Sequence, residues 1–78
     1  MSATTLERLV RMANQIAAEF VNQQPWDAAA ATAEHIRLFW DPRMLAMILA
    51  HGAAGGEGLD AVAAAAVGML RGGPGDAG

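Results

Sequence analysis

Trp40-Asp41-Pro42-Arg43-Met44 decides how this chain is divided. Pro42 disfavours helical backbone at the residue before it, so a helix arriving from the N-terminal side must end at Phe39 or Trp40. The same pair opens the next helix: Asp41 is a preferred N-cap, and Pro42 suits a first helical position, where its missing N–H removes no hydrogen bond. One short turn serves two helices.

Upstream, Pro25 marks the start of the first of these two helices, predicted over about 25–40. At about 100° per residue, Trp26, Ala29, Ala33, Ile36 and Trp40 fall on one stripe, taken as the buried one, while Asp27, Glu34, His35 and Leu38 point elsewhere. Further upstream, Thr4 and Glu7 read as a capping box. Leu6, Leu9, Val10, Ala13, Ile16, Ala17, Phe20 and Val21 then recur at helical spacing. Glu7 and Arg11 form a supportive i, i+4 pair on the polar face, and Asn22, Gln23, Gln24 and Pro25 stop the pattern.

Downstream, a third helix is expected from Pro42 to about Ala50, with residues 44–50 apolar without a break. A helix with so little polar face is buried all round or faces a partner. Gly52, Gly55, Gly56 and Gly58 read as its stop and a flexible connector. Leu59, Val62, Ala63, Ala66, Val67 and Leu70 then form a fourth stripe, with Asp60 as its N-cap. From Gly72 onward the Gly/Pro-rich end is expected to be a disordered tail, leaving residues 1–71 as one domain. The fold class is all-α, a small bundle of about four short helices.

At 78 residues a two-domain enzyme is excluded. The chain has 19 Ala, against 7 Leu, 5 Met, 4 Val, 3 Ile, 2 Phe and 2 Trp. Alanine forms helix readily but buries little area. Domains of this size rarely gain more than about 3–5 kcal/mol from one core and usually add disulfides, a metal or a partner. With no Cys, disulfides are excluded, and His35 and His51 alone make no structural-zinc pattern. Association with another chain is the remaining supplement, and self-association of the isolated chain is one form it can take.

Charge narrows the partner. A net charge of −3 with five Arg and no Lys argues against nucleic acid. No basic-then-apolar leader opens the sequence and no run approaches the ~20 apolar residues of a membrane span, so a cytoplasmic location away from membranes is expected.

Catalytic chemistry has little to work with. There is no Cys nucleophile, Ser2 lies in the N-terminal fringe, and neither His sits in a pattern that marks a general base. Gly55-Gly56-Glu57-Gly58 has neither the Lys of a phosphate loop nor a preceding strand, which makes it a linker. No catalytic, cofactor-binding or metal-ligating residue is expected, and no cofactor.

The residues left over suit a protein partner. Architecture accounts for Trp40 as core, Asp41 as cap and Pro42 as helix start. Arg43 is not so explained: a cation in the first helical turn opposes the macrodipole by about 0.3–1 kcal/mol. A carboxylate on another subunit, or Asp41 or Glu57 within the chain, would compensate it. Arg37 lies in the last turn of its helix, where positive charge is favourable. Leu38 is off its helix's stripe with Phe39 at the edge, and Met44 and Met47 add adaptable apolar surface. Leu38, Phe39, Trp40, Arg43, Met44 and Met47 are the candidate partner-binding residues. Asn14 sits mid-helix, placed to hydrogen-bond across the bundle or to a partner, and Gln15 is read as solvated.

Four blocks carry a family resemblance. Residues 8–17 (RLVRMANQIA), 35–44 (HIRLFWDPRM), Ala50-His51 and 55–59 (GGEGL) resemble the delta subunit of the soluble NAD-dependent formate dehydrogenases, over roughly residues 5–70. The apolar run at 45–48 departs from the charged residues expected there in the family. The resemblance implies a non-catalytic component, without a cofactor, of a multi-subunit molybdenum or tungsten enzyme. Its large alpha subunit, which carries the molybdopterin cofactor, would be the partner, and support of assembly or stability would be the role. A transient factor for cofactor insertion and a self-associating helical module unrelated to formate are the competing readings.

Overall fold

A computed structural model describes residues 5–72, the Pro25 side chain aside. Among these residues the chain forms α1 (Thr5–Glu19), α2 (Pro25–Phe39), α3 (Pro42–Ala53) and α4 (Ala61–Gly72), with no strand. Thr4 of the expected capping box and residues 73–78 of the expected tail lie outside the described residues.

α1 buries Leu9, Ala13, Ile16 and Ala17, four positions at i, i+4, i+7 and i+8 on one face. Val21, assigned to the same stripe, is exposed because the helix ends at Glu19 and a tight turn carries the chain away from that face. In that turn the Gln23 N–H donates to the Phe20 carbonyl at 3.0 Å.

α2 buries Ala28, Ala29, Thr32, Ala33 and Ile36, and Trp40 is buried just past its end. The stripe is correct at Ala29, Ala33, Ile36 and Trp40 and wrong at Trp26, which is 71% exposed. Trp26 stands one heptad before Ala33, within about 20° of the same azimuth, but it lies in the first turn of α2, ahead of buried Ala28 and Ala29, where the cover of that row gives out. Thr32 enters the interior because its hydroxyl donates to the Ala28 carbonyl at 2.7 Å, leaving no buried side-chain polar atom unsatisfied among the described residues.

At the corner between α2 and α3, Trp40 adopts extended backbone while its N–H closes the last α2 hydrogen bond onto Ile36. Asp41 then caps α3, its carboxylate accepting the Met44 N–H at 2.9 Å.

α3 runs to Ala53, beyond the expected end near Ala50, so Gly52 is helical rather than a stop. The termination lies at Gly55 and Gly56. The Gly56 N–H donates to the His51 carbonyl at 2.9 Å and the Gly55 N–H to the Gly52 carbonyl at 3.2 Å, a Schellman motif with Gly55 at positive φ. Gly52 has a different task, since a Cβ placed on it would lie 2.5 Å from the Val67 Cγ1. A glycine there lets α3 and α4 close together.

The most extensive helix pairing is α2 with α4, and both bury mainly small residues. Short side chains allow close axial approach. One cluster joins Leu9, Ala13, Ile16, Ala17, Ile36, Trp40, Ile48, Ala63 and Val67, to which all four helices contribute. α2 and α3, neighbours in sequence, scarcely meet beyond their shared corner.

Candidate partner-docking surface

The sequence-derived candidates gather at that α2–α3 corner. Three consecutive residues diverge: Leu38 is 61% exposed, Phe39 72% exposed and Trp40 only 7% exposed. Helical rotation of about 100° per step explains the split, because Ile36 and Trp40 share the core azimuth and Leu38 points nearly opposite. Phe39 stands one heptad after buried Thr32, so it continues a covered row past the point where cover ends. Its ring is met at 4.8 Å, centroid to centroid, by the tilted imidazole of His35 one turn earlier. Met44 and Met47 are half-buried and pack on the core cluster from α3.

Charge at the corner is uneven. Arg37 is tied to Glu34 in an exposed i, i+3 ion pair, and the Asp41 carboxylate is occupied as a cap. Arg43 is exposed, and among the described residues it makes no ion pair, with Asp41 and Glu57 included. The corner thus shows two large apolar side chains beside one uncompensated cation.

A second polar cluster lies between α1 and the α3–α4 connector. The Asn14 amide donates to the Gly58 carbonyl and accepts the Asp60 N–H, each at 2.9 Å. Asp60 caps α4 by accepting the Ala63 N–H at 2.8 Å, as expected of it. His51 Nε2 lies 2.7 Å from the Glu57 carbonyl oxygen. The connector is therefore fastened at three points rather than free as a linker would be. A shallow hollow beside it is lined by Leu6, Glu7, Val10, His51, Glu57 and Gly58. Among the described residues no three His, Cys, Asp or Glu converge as a metal site, and no helix is long and apolar enough to cross a membrane.

Residues 8–67 match the family described as NADH-dependent formate dehydrogenase delta subunit FdsD. The chain belongs to that family. No curated protein and no solved structure gives a match. The blocks that carry the FdsD resemblance sort into two places. Asn14, His51 and residues 55–59 meet at the fastened connector, although they lie on separate segments of the sequence. Residues 35–44 form the α2–α3 corner. An FdsD chain is a formate dehydrogenase subunit, and association with the other subunits of that complex follows from membership.

Sequence reasoning left Asn14 open between a bundle and a partner bond, and the structure assigns it to the bundle. It missed the bond from His51 to the connector, for which an i, i+6 spacing across a glycine-rich turn gives no periodic signal.

Proposed function

We propose that this FdsD chain is a non-catalytic accessory subunit that docks on the large molybdopterin-bearing subunit of the complex through the α2–α3 corner and stabilises the assembly. Leu38 and Phe39 would enter apolar recesses of the partner, Met44 and Met47 would adapt to its contour, and Arg43 would meet a carboxylate. Trp40, buried beneath, would hold the corner in shape. The observation that carries this reading is the pair Leu38 and Phe39, mostly exposed beside an Arg43 that has no ionic partner among the described residues.

Stabilisation by mass action supplies the mechanism. A partner that binds only the folded chain adds RT ln(1 + [L]/Kd), about 2.7 kcal/mol at a hundredfold excess over Kd. For a core built so largely of alanine that is a substantial share of the total.

Co-expression of Leu38→Ala/Phe39→Ala chain with the large subunit tests the reading. Loss of co-purification, with the helical circular dichroism of the free chain retained, is the expected result. Undiminished, stoichiometric recovery of the large subunit would refute docking at this corner.

A further inference from the structure

α2 presents a second uncovered aromatic at its other end, and the surroundings there are of opposite charge. Trp26 lies thirteen residues before Phe39, which at 1.5 Å rise per residue separates them by about 20 Å along the helix. It is 71% exposed, and Val21 in the preceding turn is 70% exposed. Glu19 ends α1 and Asp27 lies in the first turn of α2, both exposed. Between Arg11 and Arg37 the sequence has no Arg or Lys. This corner thus combines an indole face, an aliphatic side chain and two carboxylates with no cation supplied by its own segment. The α2–α3 corner, by contrast, offers Arg43 as its uncompensated charge. Complementing both takes groups of opposite charge about 20 Å apart.

We propose that the α1–α2 corner is a second docking surface, for a cationic apolar segment of a protein partner that inserts Arg or Lys between the Trp26 face and the carboxylates of Glu19 and Asp27. An Arg guanidinium suits the site because it stacks on an indole while its N–H groups reach carboxylates. Ionic contacts at exposed carboxylates alone are weak. The Trp26 indole supplies the area and rigidity that such contacts lack. The two corners, about 20 Å apart along α2, would then engage different segments of the complex.

Hydroxyl-radical footprinting of the free chain and of the chain assembled in the purified formate dehydrogenase complex, read by mass spectrometry, tests this. Trp26 oxidation is expected to fall on assembly. A benzophenone photocrosslinker placed at position 26 should join a peptide of another subunit that contains Arg or Lys, distinct from the peptide reached from position 39. Glu19→Arg with Asp27→Arg should abolish the position-26 crosslink and leave the position-39 crosslink intact. Equal Trp26 oxidation in both states, a crosslink to a second copy of this chain, or a crosslink that survives charge reversal would each overturn the proposal. Protection at Trp26 without protection at Phe39 would uphold it and refute docking at the α2–α3 corner.

Discussion

Asn14 on α1 accepts the backbone N–H of Asp60, 46 positions along the chain, at 2.9 Å. The same amide donates to the Gly58 carbonyl, so its two chemically different atoms hold the backbone on either side of Leu59. Asp60, fixed in this way, caps α4 with its own carboxylate. The first helix therefore sets where the last one begins, and Leu59 is held against the core between the two bonds.

Asn14→Ala should cost about 1–2 kcal/mol, since two hydrogen bonds to partly hydrated backbone are lost. The thermal midpoint should drop by roughly 4–8 °C per kcal/mol for a domain of this size, and exchange of the Asp60 amide should accelerate. Asn14→Asp should cost at least as much. It keeps the acceptor for Asp60 but turns a second acceptor toward the Gly58 carbonyl. An unchanged midpoint with unchanged Asp60 protection would show that the clamp contributes nothing.

Gly52→Ala should destabilise by about 1–3 kcal/mol, the usual range for overpacking a filled interior. Propensity alone predicts the opposite sign, a gain of about 0.5–1 kcal/mol for Gly to Ala inside a helix. The contact wins because the new methyl would meet a stiff, buried Val67 branch at 2.5 Å. A double-mutant cycle with Val67→Ala should show favourable coupling between the two changes. Additive effects in denaturant melts would rule the clash out.

Gly68→Ala provides the matched control. A Cβ at Gly68 meets nothing within 4 Å, and the residue is exposed on α4. Only the propensity term remains, so this change should raise stability by about 0.5–1 kcal/mol. A lower midpoint for Gly68→Ala would show that the α4 surface there is not open.

These glycines also show where the sequence was readable and where it was not. Helix number, order and most boundaries follow from local rules: the Asp41-Pro42 junction, the Asp60 cap and the spacing of Leu9, Ala13, Ile16 and Ala17 all appear as expected. Periodicity gives an azimuth, however, and not what lies opposite it. Trp26 shares the azimuth of buried Ala33 but lies past the end of its cover. Gly52 looked like a stop because the approach of Val67, fifteen residues later, leaves no local signature. The exposed Leu38 was legible because it breaks its own helix's phase, whereas the exposure of Phe39 depends on how far its neighbours reach.

Trp40→Ala should remove about 3–5 kcal/mol, the range for deleting a large buried side chain. For the free chain that is enough to abolish cooperative folding, seen as loss of helical circular dichroism and of a thermal transition. Trp40→Phe should retain a transition at lower temperature. A Trp40→Ala chain that folds normally and fails only to bind its complex would move the indole from the core to the interface.

Arg43→Ala should separate stability from association. Arg43 follows Pro42 in the first turn of α3, where a positive charge opposes the helix dipole, and among the described residues no carboxylate compensates it. Removing it should therefore leave the free chain equally stable or more stable by about 0.3–1 kcal/mol. Its affinity for the large subunit should fall, because a desolvated interfacial carboxylate would lose its partner. Asp41 still caps α3 in this variant, so helicity should not change. Thermal melts of the free chain and titration against the large subunit give the two readings. A variant less stable alone, or one that binds as tightly as the parent, would mean that Arg43 serves the fold rather than the complex.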